Sequence, residues 1–223
     1  MDLLTKISSR TAEVGVIGLG YVGLPLAVTA AEQGFHVTGF DIDASKIERI
    51  SSSNSYIDAI SDNRLNTLVK RGQLCASGSF AELAKCQIIV ICVPTPLNNL
   101  REPDLSFVEA TANEIASHIS RGTLVILEST TWPGTTEEVL APLLEKSAYA
   151  IGSEIFLGFS PEREDPGNAA YSTRSIPKVV AGLGETAGDL TEAFYNTVVT
   201  KVVRVADTRT AEAVKITENI FRA

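Results

Sequence analysis

The sequence predicts an α/β protein with a Rossmann-like, doubly wound and mostly parallel sheet, covered by helices on both faces. Two observations carry this prediction. Short apolar segments alternate along the chain with segments of helical periodicity, which is the order expected of parallel βαβ units. The first apolar segment, 14–17, also runs directly into a glycine-rich turn and then into a helical pattern.

The turn after this first strand is typical of a dinucleotide site. Gly18, Gly20 and Gly23 have the spacing G-x-G-x-x-G. Such glycines allow, in turn, a tight bend, close approach of the backbone to a pyrophosphate and close packing of helix on strand. The phosphates would face the unpaired N–H groups at the positive end of the helix dipole. With Tyr21 and Val22, these glycines form the predicted phosphate-binding turn; a glycine-rich turn without a ligand is the alternative.

The second predicted strand, 36–40, ends in an acidic residue, Asp41. A carboxylate there can accept hydrogen bonds from the ribose hydroxyls of adenosine and would repel a 2′-phosphate. We expect no adjacent basic residue to offset that repulsion, and therefore predict NAD rather than NADP as the cofactor. Asp43 and Lys46 are expected at the rim of the adenosine site, although surface charges are common after such a strand.

The alternation continues to the end of the sequence. Further strands are predicted at 87–93, 122–127, 155–159, 178–181 and 202–205, and helices at 44–52, near 64–70, at 106–119, from 135 or 136, at 185–196 and from 208. A threonine, 135 or 136, is expected to cap the helix that follows the loop 128–134. The last helical pattern reaches the end without a terminating signal. We therefore expect an NAD-binding domain over 1–206, and a truncated chain in which 207–223 begin a helix leading to an absent second half.

Composition and charge exclude several classes of function. Of the 223 residues, 44% are hydrophobic, and the formal net charge of −8 disfavours nucleic acid and anionic membranes as partners. The first 13 residues lack the apolar centre of a signal peptide, and the longest apolar run, 88–93, is too short to cross a bilayer. We expect a cytoplasmic protein.

The cysteines and histidines do not form a metal-binding pattern. Cys75, Cys86 and Cys92 match neither a disulfide framework nor a C-x-x-C site, and His36 and His118 are too few for a histidine-based zinc centre. We expect no metal, and a reducing compartment.

Four further segments, together with the glycine turn and in this order, closely resemble the UDP-glucose/GDP-mannose dehydrogenase family. The resemblance covers essentially the whole chain but only the amino-terminal half of the family's usual length. The Ser-Pro-Glu-Arg form of the third segment resembles the branch that acts on UDP-N-acetylhexosamines, whereas the UDP-glucose branch more often has Ser-Pro-Glu-Phe-Leu-Arg-Glu. The segments are Cys-Val-Pro-Thr-Pro at 92–96, Glu-Ser-Thr-Thr-Trp-Pro-Gly-Thr-Thr at 128–136, Phe-Ser-Pro-Glu-Arg-Glu-Asp-Pro-Gly-Asn at 159–168 and Thr-Ala-Glu-Ala-Val-Lys-Ile-Thr-Glu-Asn at 210–219.

The resemblance implies roles for residues at the ends of two strands and in one loop. Thr130 matches the family's threonine near the nicotinamide and the catalytic water, and Thr95, with Pro94, matches a position near the cofactor phosphate or ribose. An ordinary hydroxyl that satisfies a turn is the alternative for each threonine. Glu162 matches a general base or water-positioning carboxylate. Arg163 is placed to meet the substrate diphosphate, and a solvated loop charge is equally compatible.

The resemblance also assigns two residues on the last helix. Lys215 and Asn219 are four apart and so share a helix face. The family match makes them substrate-binding donors to an oxyanion that develops at C6 of the sugar. Glu212 and Arg222 are interpreted as extending the same polar stripe, for which a solvated helix face is the simple explanation.

The family oxidises a sugar C6 alcohol to a carboxylate with two NAD, through a covalent cysteine intermediate. That cysteine lies in a G-x-x-C-x-P-x-D segment that is absent here, and none of the three cysteines has this context. The predicted function is therefore the NAD-binding half of a UDP-N-acetylglucosamine or UDP-N-acetylmannosamine 6-dehydrogenase of polysaccharide biosynthesis. Alternatives are the same chemistry on UDP-glucose or GDP-mannose, or a non-catalytic NAD-binding module. The full-length parent is expected to form a homodimer through its central helix.

Overall fold

The structure, a computed structural model, describes residues 2–97, 103–162 and 177–222, with side chains of the last helix described as far as 217. Its strands are mostly short, apolar segments. They are β1 (Glu13–Ile17), β2 (His36–Phe40), β3 (Leu74–Ser77), β4 (Ile88–Ile91), β5 (Leu124–Leu127), β6 (Phe156–Phe159), β7 (Lys178–Gly182) and β8 (Val202–Arg204).

Within the described residues these strands form one eight-stranded sheet in the order β3-β2-β1-β4-β5-β6-β7-β8. The six strands from β3 to β6 pair in parallel, whereas β7 pairs antiparallel with β6 and β8 pairs parallel with β7. The predicted doubly wound, mostly parallel sheet is thus confirmed. The chain order reverses between β1 and β4, and open α/β sheets bind ligands at such a switch point.

Helices cover both faces of the sheet, as the alternating pattern predicts. Strands β4 and β5 are buried along their whole length, as expected for parallel strands covered on both sides. The helices are α1 (Leu3–Ser8), α2 (Gly23–Glu32), α3 (Ala44–Ser51), α4 (Asp62–Lys70), α5 (Ser106–His118), α6 (Ala141–Leu144), α7 (Glu185–Val198) and α8 (Thr208–Arg222), with short 3₁₀ turns at Phe80–Lys85 and Glu145–Ser147 and a π-helical turn at Thr136–Leu140.

Two apolar cores form, one on each face of the sheet. One contains Leu24 and Leu26 of α2 together with Phe194 and Tyr195 of α7. The other contains residues of α5, the π-helical turn and α6, including Val108. The sheet between the two cores holds the carboxyl ends of its strands in fixed positions, and the candidate site is built there.

Two elements were not located by the sequence pattern. The helix α1 is capped by Asp2, whose side chain accepts a hydrogen bond from the Thr5 N–H at 2.8 Å, and it buries Ile7 completely. Its apolar residues Leu3, Leu4 and Ile7 have helical spacing, but a segment of six residues is too short for this periodicity to be recognised. Strand β3 is four residues long and mixes apolar with polar side chains, so it carries no alternation long enough to recognise.

No described helix is long and apolar enough to span a membrane. No group of three His, Cys, Asp or Glu side chains within the described part of the chain is placed to hold a metal ion.

Candidate functional site

A cleft of about 620 Å³ opens at the carboxyl ends of β1, β4 and β5. This is the switch point of the sheet, where the fold predicts a ligand. Most of the residues predicted from the sequence line this one cleft. They are Gly18, Gly20, Tyr21, Val22, Asp41, Lys46, Pro94, Thr95, Thr130, Glu162 and Lys215.

The three glycines of the turn meet three different surroundings. Gly18 has a positive φ of 91°, and a Cβ there would lie 2.7 Å from the carbonyl oxygen of Cys92. A Cβ on Gly23, the first residue of α2, would lie 1.9 Å from the Gly18 oxygen. Gly20 is different, because a Cβ there would meet no described heavy atom within 4 Å. Gly18 and Gly23 are thus needed for the turn itself, whereas Gly20 leaves open space at the cleft wall for a ligand.

The carboxylate of Asp41 ties the glycine turn to the start of α3. It accepts hydrogen bonds from the Leu19 N–H at 2.8 Å and from the Asp43 N–H at 2.9 Å. Its third partner is the Lys46 ammonium, also at 2.9 Å. The expectation that Asp41 has no adjacent basic residue was therefore wrong. Lys46 lies in the first turn of α3, and the turn at Asp43 brings it back onto the carboxylate.

Hydroxyl groups join the ends of β4 and β5 beneath the cleft. The Thr95 hydroxyl donates to the Thr130 carbonyl at 2.7 Å, and the Ser129 hydroxyl donates to the Val93 carbonyl at 2.6 Å. These two bonds hold the loops that carry Thr95 and Thr130 side by side. Thr131 Oγ1 is buried and has no hydrogen-bond partner within the described part of the chain.

A buried charge network lies against the wall of the cleft, and the sequence pattern does not predict it. The Lys178 ammonium contacts a carboxylate oxygen of Glu128 and lies 3.1 Å from Oε2 of Glu162. The Tyr195 hydroxyl donates to the other oxygen of Glu128 at 2.8 Å. The side chain of Lys178 is 4% exposed and that of Glu128 is fully buried. Lys178 begins the otherwise apolar strand β7, and a charged residue in such a strand is a sequence signal that could have indicated a buried ion pair.

Opposing effects act on the Lys178 ammonium. Burial lowers its pKa, because desolvation penalises the charged form, and the nearby positive charge of Lys215 acts in the same direction. The two carboxylates at contact distance favour the charged form. Burial also raises the pKa of Tyr195 well above its usual value, so its hydroxyl stays protonated and remains a donor to Glu128.

The last helix brings a second lysine to the cleft. Lys215 on α8 donates a hydrogen bond from its ammonium to the backbone carbonyl of Glu162. The backbone of Asn219 lies one turn further along α8. The side chain of Asn219, and Arg163 as a whole, lie outside the described residues.

Glu212 has a different role from the one predicted for it. It was interpreted as part of a solvated stripe on α8, but its side chain is fully buried. Its carboxylate accepts hydrogen bonds from the Gly134 N–H at 2.5 Å, from the Thr136 N–H at 2.9 Å and from the Thr136 hydroxyl at 2.7 Å. Thr135, at the N-cap, makes no side-chain capping bond. Thr135 thus occupies the predicted N-cap position, but the expected side-chain capping bond is not made, because the Glu212 carboxylate from a distant helix satisfies these donors.

Comparison with known proteins places this architecture among sugar-nucleotide dehydrogenases. Residues 12–199 match the NAD-binding domain of the UDP-glucose/GDP-mannose dehydrogenase family. The chain is 35% identical over 210 residues to UDP-N-acetyl-D-mannosamine dehydrogenase of Pyrococcus horikoshii, covering 94% of this chain and 50% of that protein. It is also 35% identical over 215 residues to UDP-N-acetyl-D-glucosamine 6-dehydrogenase of Pseudomonas aeruginosa, covering 96% and 50%.

Solved structures agree with these matches. The UDP-D-ManNAc dehydrogenase of Pyrococcus horikoshii superposes with a TM-score of 0.88 at 35% identity, over 94% of this chain and 50% of that one. A ternary complex of GDP-mannose dehydrogenase from Pseudomonas aeruginosa gives 0.86 at 26% identity, over 94% and 49%. The chain therefore spans about half the length of the relatives it matches. Since the matched domain is an NAD-binding domain, the dinucleotide for this cleft is NAD, and the open space at Gly20 fits it.

Proposed function

The chain belongs to the UDP-glucose/GDP-mannose dehydrogenase family, and from this premise we propose that it is the NAD-binding half of a UDP-N-acetylhexosamine 6-dehydrogenase. The observation that carries the proposal is the content of the cleft. The glycine turn and Asp41 share one cavity with Thr130, Glu162 and Lys215. A module that only binds NAD has no need of a carboxylate and an ammonium group beyond the cofactor turn.

The proposed reaction oxidises the C6 alcohol of the sugar to a carboxylate with two NAD. When bound, NAD supplies the electron acceptor for this oxidation. The N–H groups of the turn at Gly20 hold its phosphates, and Asp41 accepts hydrogen bonds from the adenosine ribose. Thr95 and Thr130 orient the cofactor at the strand ends.

The chemical step falls to the residues on the far side of the cleft. Glu162 accepts the proton of the alcohol or holds the hydrolytic water. The Lys215 ammonium, with Asn219, stabilises negative charge that develops on the C6 oxygen. Arg163 is assigned to the substrate diphosphate, as a charge-assisted partner.

The substrate class follows from the relatives and from the Ser-Pro-Glu-Arg segment. The relatives from Pyrococcus and Pseudomonas are named for UDP-N-acetyl-D-mannosamine and UDP-N-acetyl-D-glucosamine. UDP-glucose and GDP-mannose remain the alternatives, since enzymes named for both sugars share the fold. A role in polysaccharide biosynthesis in the cytoplasm is part of the proposal.

The proposal includes the division of the protein. Residues 1–206 form the NAD-binding domain, and 207–223 begin the helix that leads to a second half carrying the nucleophilic cysteine. This division is supported by relatives twice as long and by the lack of a G-x-x-C-x-P-x-D segment in the sequence. Dimerisation of the full-length enzyme through that helix is the proposed assembly.

The test compares this chain with a full-length enzyme that contains it. In titration calorimetry the chain is expected to bind NAD. Incubated with NAD and UDP-N-acetylglucosamine, UDP-N-acetylmannosamine or UDP-glucose, it gives no sustained rise in NADH absorbance. The full-length enzyme gives that rise with a UDP-N-acetylhexosamine, and its Glu162→Gln variant loses it.

Three results would contradict the proposal. Repeated turnover by the chain alone would mean that the nucleophile is misplaced, and Cys92 would become the candidate. Failure of the chain to bind NAD would refute the cofactor site. Failure of the full-length enzyme to oxidise any UDP-sugar would favour the non-catalytic module.

A further inference from the structure

A lysine ammonium is buried directly behind the catalytic side of the cleft. Lys178 is the first residue of β7, the strand that pairs antiparallel with β6 through its last two residues. Its side chain is 4% exposed. Placing an ammonium in such a site is unfavourable unless charged partners compensate for the lost hydration. An apolar side chain at this position of the strand would need no charged partners.

The partners of this ammonium come from separate parts of the chain. The carboxylate of Glu128 follows β5, and that of Glu162 follows β6. Tyr195, on α7, donates to Glu128 at 2.8 Å, and the Lys178 ammonium lies 5.4 Å from the centre of its ring. Lys178 and Tyr195 thus both bind the Glu128 carboxylate. The same Lys178 ammonium also contacts the carboxylate of Glu162 at the cleft wall.

Charged and titratable groups surround Glu162 from several elements. From β7 comes Lys178, and from α8 comes Lys215, which donates to the Glu162 backbone carbonyl. Glu128 after β5 and Cys92 after β4 also line the cleft. The ammonium of Lys178 is a positive charge at hydrogen-bond distance from the Glu162 carboxylate, 3.1 Å from its Oε2 atom.

We propose that Lys178 is a positioning residue of the dehydrogenase site, which fixes the Glu162 carboxylate at the cleft wall and keeps it ionised for its work as a base. Glu128 and Tyr195 anchor the ammonium from behind, so that its hydrogen bond to Glu162 keeps one direction. The inference rests on the proposed function for the role of Glu162, but the state of the carboxylate is measurable without any turnover.

The charge arm of the test uses the 223-residue chain with NAD bound. Lys178→Met removes the ammonium and leaves Glu128 buried without its cation, which endangers the fold. The double variant Lys178→Met with Glu128→Gln removes both buried charges and keeps Glu162. In either variant the pH midpoint of the Glu162 carboxyl, followed by ¹³C NMR and assigned with Glu162→Gln, rises by roughly one to three pH units. Lys85→Met, which removes a lysine whose side chain is 75% exposed, is the matched control and leaves the midpoint unchanged.

The activity arm uses the full-length enzyme. The acid limb of its kcat/KM profile moves to higher pH in the same two variants, whereas NAD affinity is retained. A midpoint of Glu162 that does not move in a folded variant would overturn the inference. So would loss of activity at all pH values with an unchanged acid limb, or loss of the fold in both variants, since either result would make Lys178 a purely structural residue.

The two proposals fail in different ways. If the full-length enzyme oxidises no UDP-sugar, the proposed function is wrong, and the NMR midpoint still decides whether Lys178 keeps Glu162 ionised. If the enzyme is active and the midpoint stays in place, only the inference about Lys178 is wrong.

Discussion

At the scale of single residues, the glycine turn offers two methyl substitutions with opposite consequences. A Cβ on Gly23 would lie 1.9 Å from the Gly18 oxygen, a backbone atom that cannot move without opening the turn. A Cβ on Gly20 would meet open space within the described structure, at the wall of the cleft that is assigned to the cofactor. One glycine therefore serves the fold, and the other serves the ligand.

This difference predicts a separation of stability from binding. Gly23→Ala lowers the free energy of unfolding by about 1–3 kcal/mol or more, because the helix must shift. Gly20→Ala changes it by less than about 0.5 kcal/mol, but weakens NAD binding by at least about tenfold, because the backbone no longer approaches the pyrophosphate. Urea unfolding and titration calorimetry measure the two quantities. A stable Gly23→Ala variant, or full NAD affinity in Gly20→Ala, would contradict the assignment.

The pair of Asp41 and Lys46 makes a second prediction at this scale. The unmodified chain prefers NAD to NADP, because a 2′-phosphate would meet the Asp41 carboxylate. In the unmodified chain the Lys46 ammonium lies 2.9 Å from the Asp41 carboxylate. In Asp41→Asn this ammonium loses its charged partner and becomes available to a 2′-phosphate. NADP affinity therefore rises by about tenfold, or roughly 1.4 kcal/mol, in titration calorimetry.

A double variant identifies the source of that gain. Adding Lys46→Met to Asp41→Asn removes the cation, and the gain in NADP affinity disappears. If the double variant binds NADP as well as Asp41→Asn does, Lys46 is not the group that meets the phosphate. Tighter binding of NADP than of NAD by the unmodified chain would refute the role of Asp41 itself.

At the scale of elements, Glu212 joins α8 to the loop that carries Thr130. Its carboxylate satisfies the Gly134 and Thr136 N–H groups at the start of the π-helical turn. The same helix places Lys215 against Glu162 three residues further on. The position of Lys215 in the cleft thus depends on a bond made one turn earlier on α8.

Loss of this carboxylate predicts a measurable loss of stability. Glu212→Ala leaves buried N–H donors without an acceptor and lowers the free energy of unfolding by about 1–3 kcal/mol. Urea unfolding at neutral pH measures it, with the exposed Glu109 of α5, changed to Gln, as a control that leaves stability unaltered. An equally stable Glu212→Ala variant would show that water or other groups replace the carboxylate.

The pH dependence of the same residue gives a second prediction at this scale. Burial raises the pKa of Glu212 above its ordinary value of 4.5, although its hydrogen bonds with Thr136 and Gly134 oppose the shift. The folded state therefore binds this proton more tightly than the unfolded state. The contribution of Glu212 is fully present below pH 4.5 and is lost as the pH rises through the folded-state pKa.

Comparison with Glu212→Gln isolates this contribution. As the pH rises above 4.5, the stability of the unmodified chain falls relative to that of the Gln variant, in urea unfolding at several pH values. The opposite slope, with the unmodified chain gaining on the variant, would mean that the hydrogen bonds outweigh burial.

At the scale of the whole molecule, the cleft lies at the switch point between β1 and β4, and residues from both halves of the sheet line it. A ligand that binds only the folded state stabilises it by about 2.7 kcal/mol at one hundred times its Kd. For a chain of this size such a gain raises the Tm by about 5–10 °C. NAD at that concentration is expected to produce this shift in calorimetric melting. The Gly20→Ala variant should show a much smaller shift at equal NAD, and an equal shift would place the cofactor elsewhere.

Much of this architecture was predictable because it follows from sequence patterns within single elements and the turns that connect them. The strand, the glycine turn and the helix from 14 to 32 follow one another without interruption, and their hydrophobic periods are those of the elements they form. Residues of the cleft were predictable for a related reason. Thr95 and Thr130 follow directly after parallel strands, and the carboxyl ends of such strands meet at one edge of a sheet.

The contacts that only the tertiary structure decided join residues far apart in the sequence. Glu128 lies 50 residues from Lys178, and Thr136 lies 76 residues from Glu212. A single charged residue in an apolar strand or on a helix carries no periodic signal that names its partner. The partner depends on which strands are neighbours and on the direction of β7, and these follow from packing of the whole sheet. Local sequence therefore determined the fold class and the cofactor turn. The tertiary structure decided the partners of Lys178 and Glu212, because a charged group that becomes buried is stable only beside groups that compensate for its lost hydration.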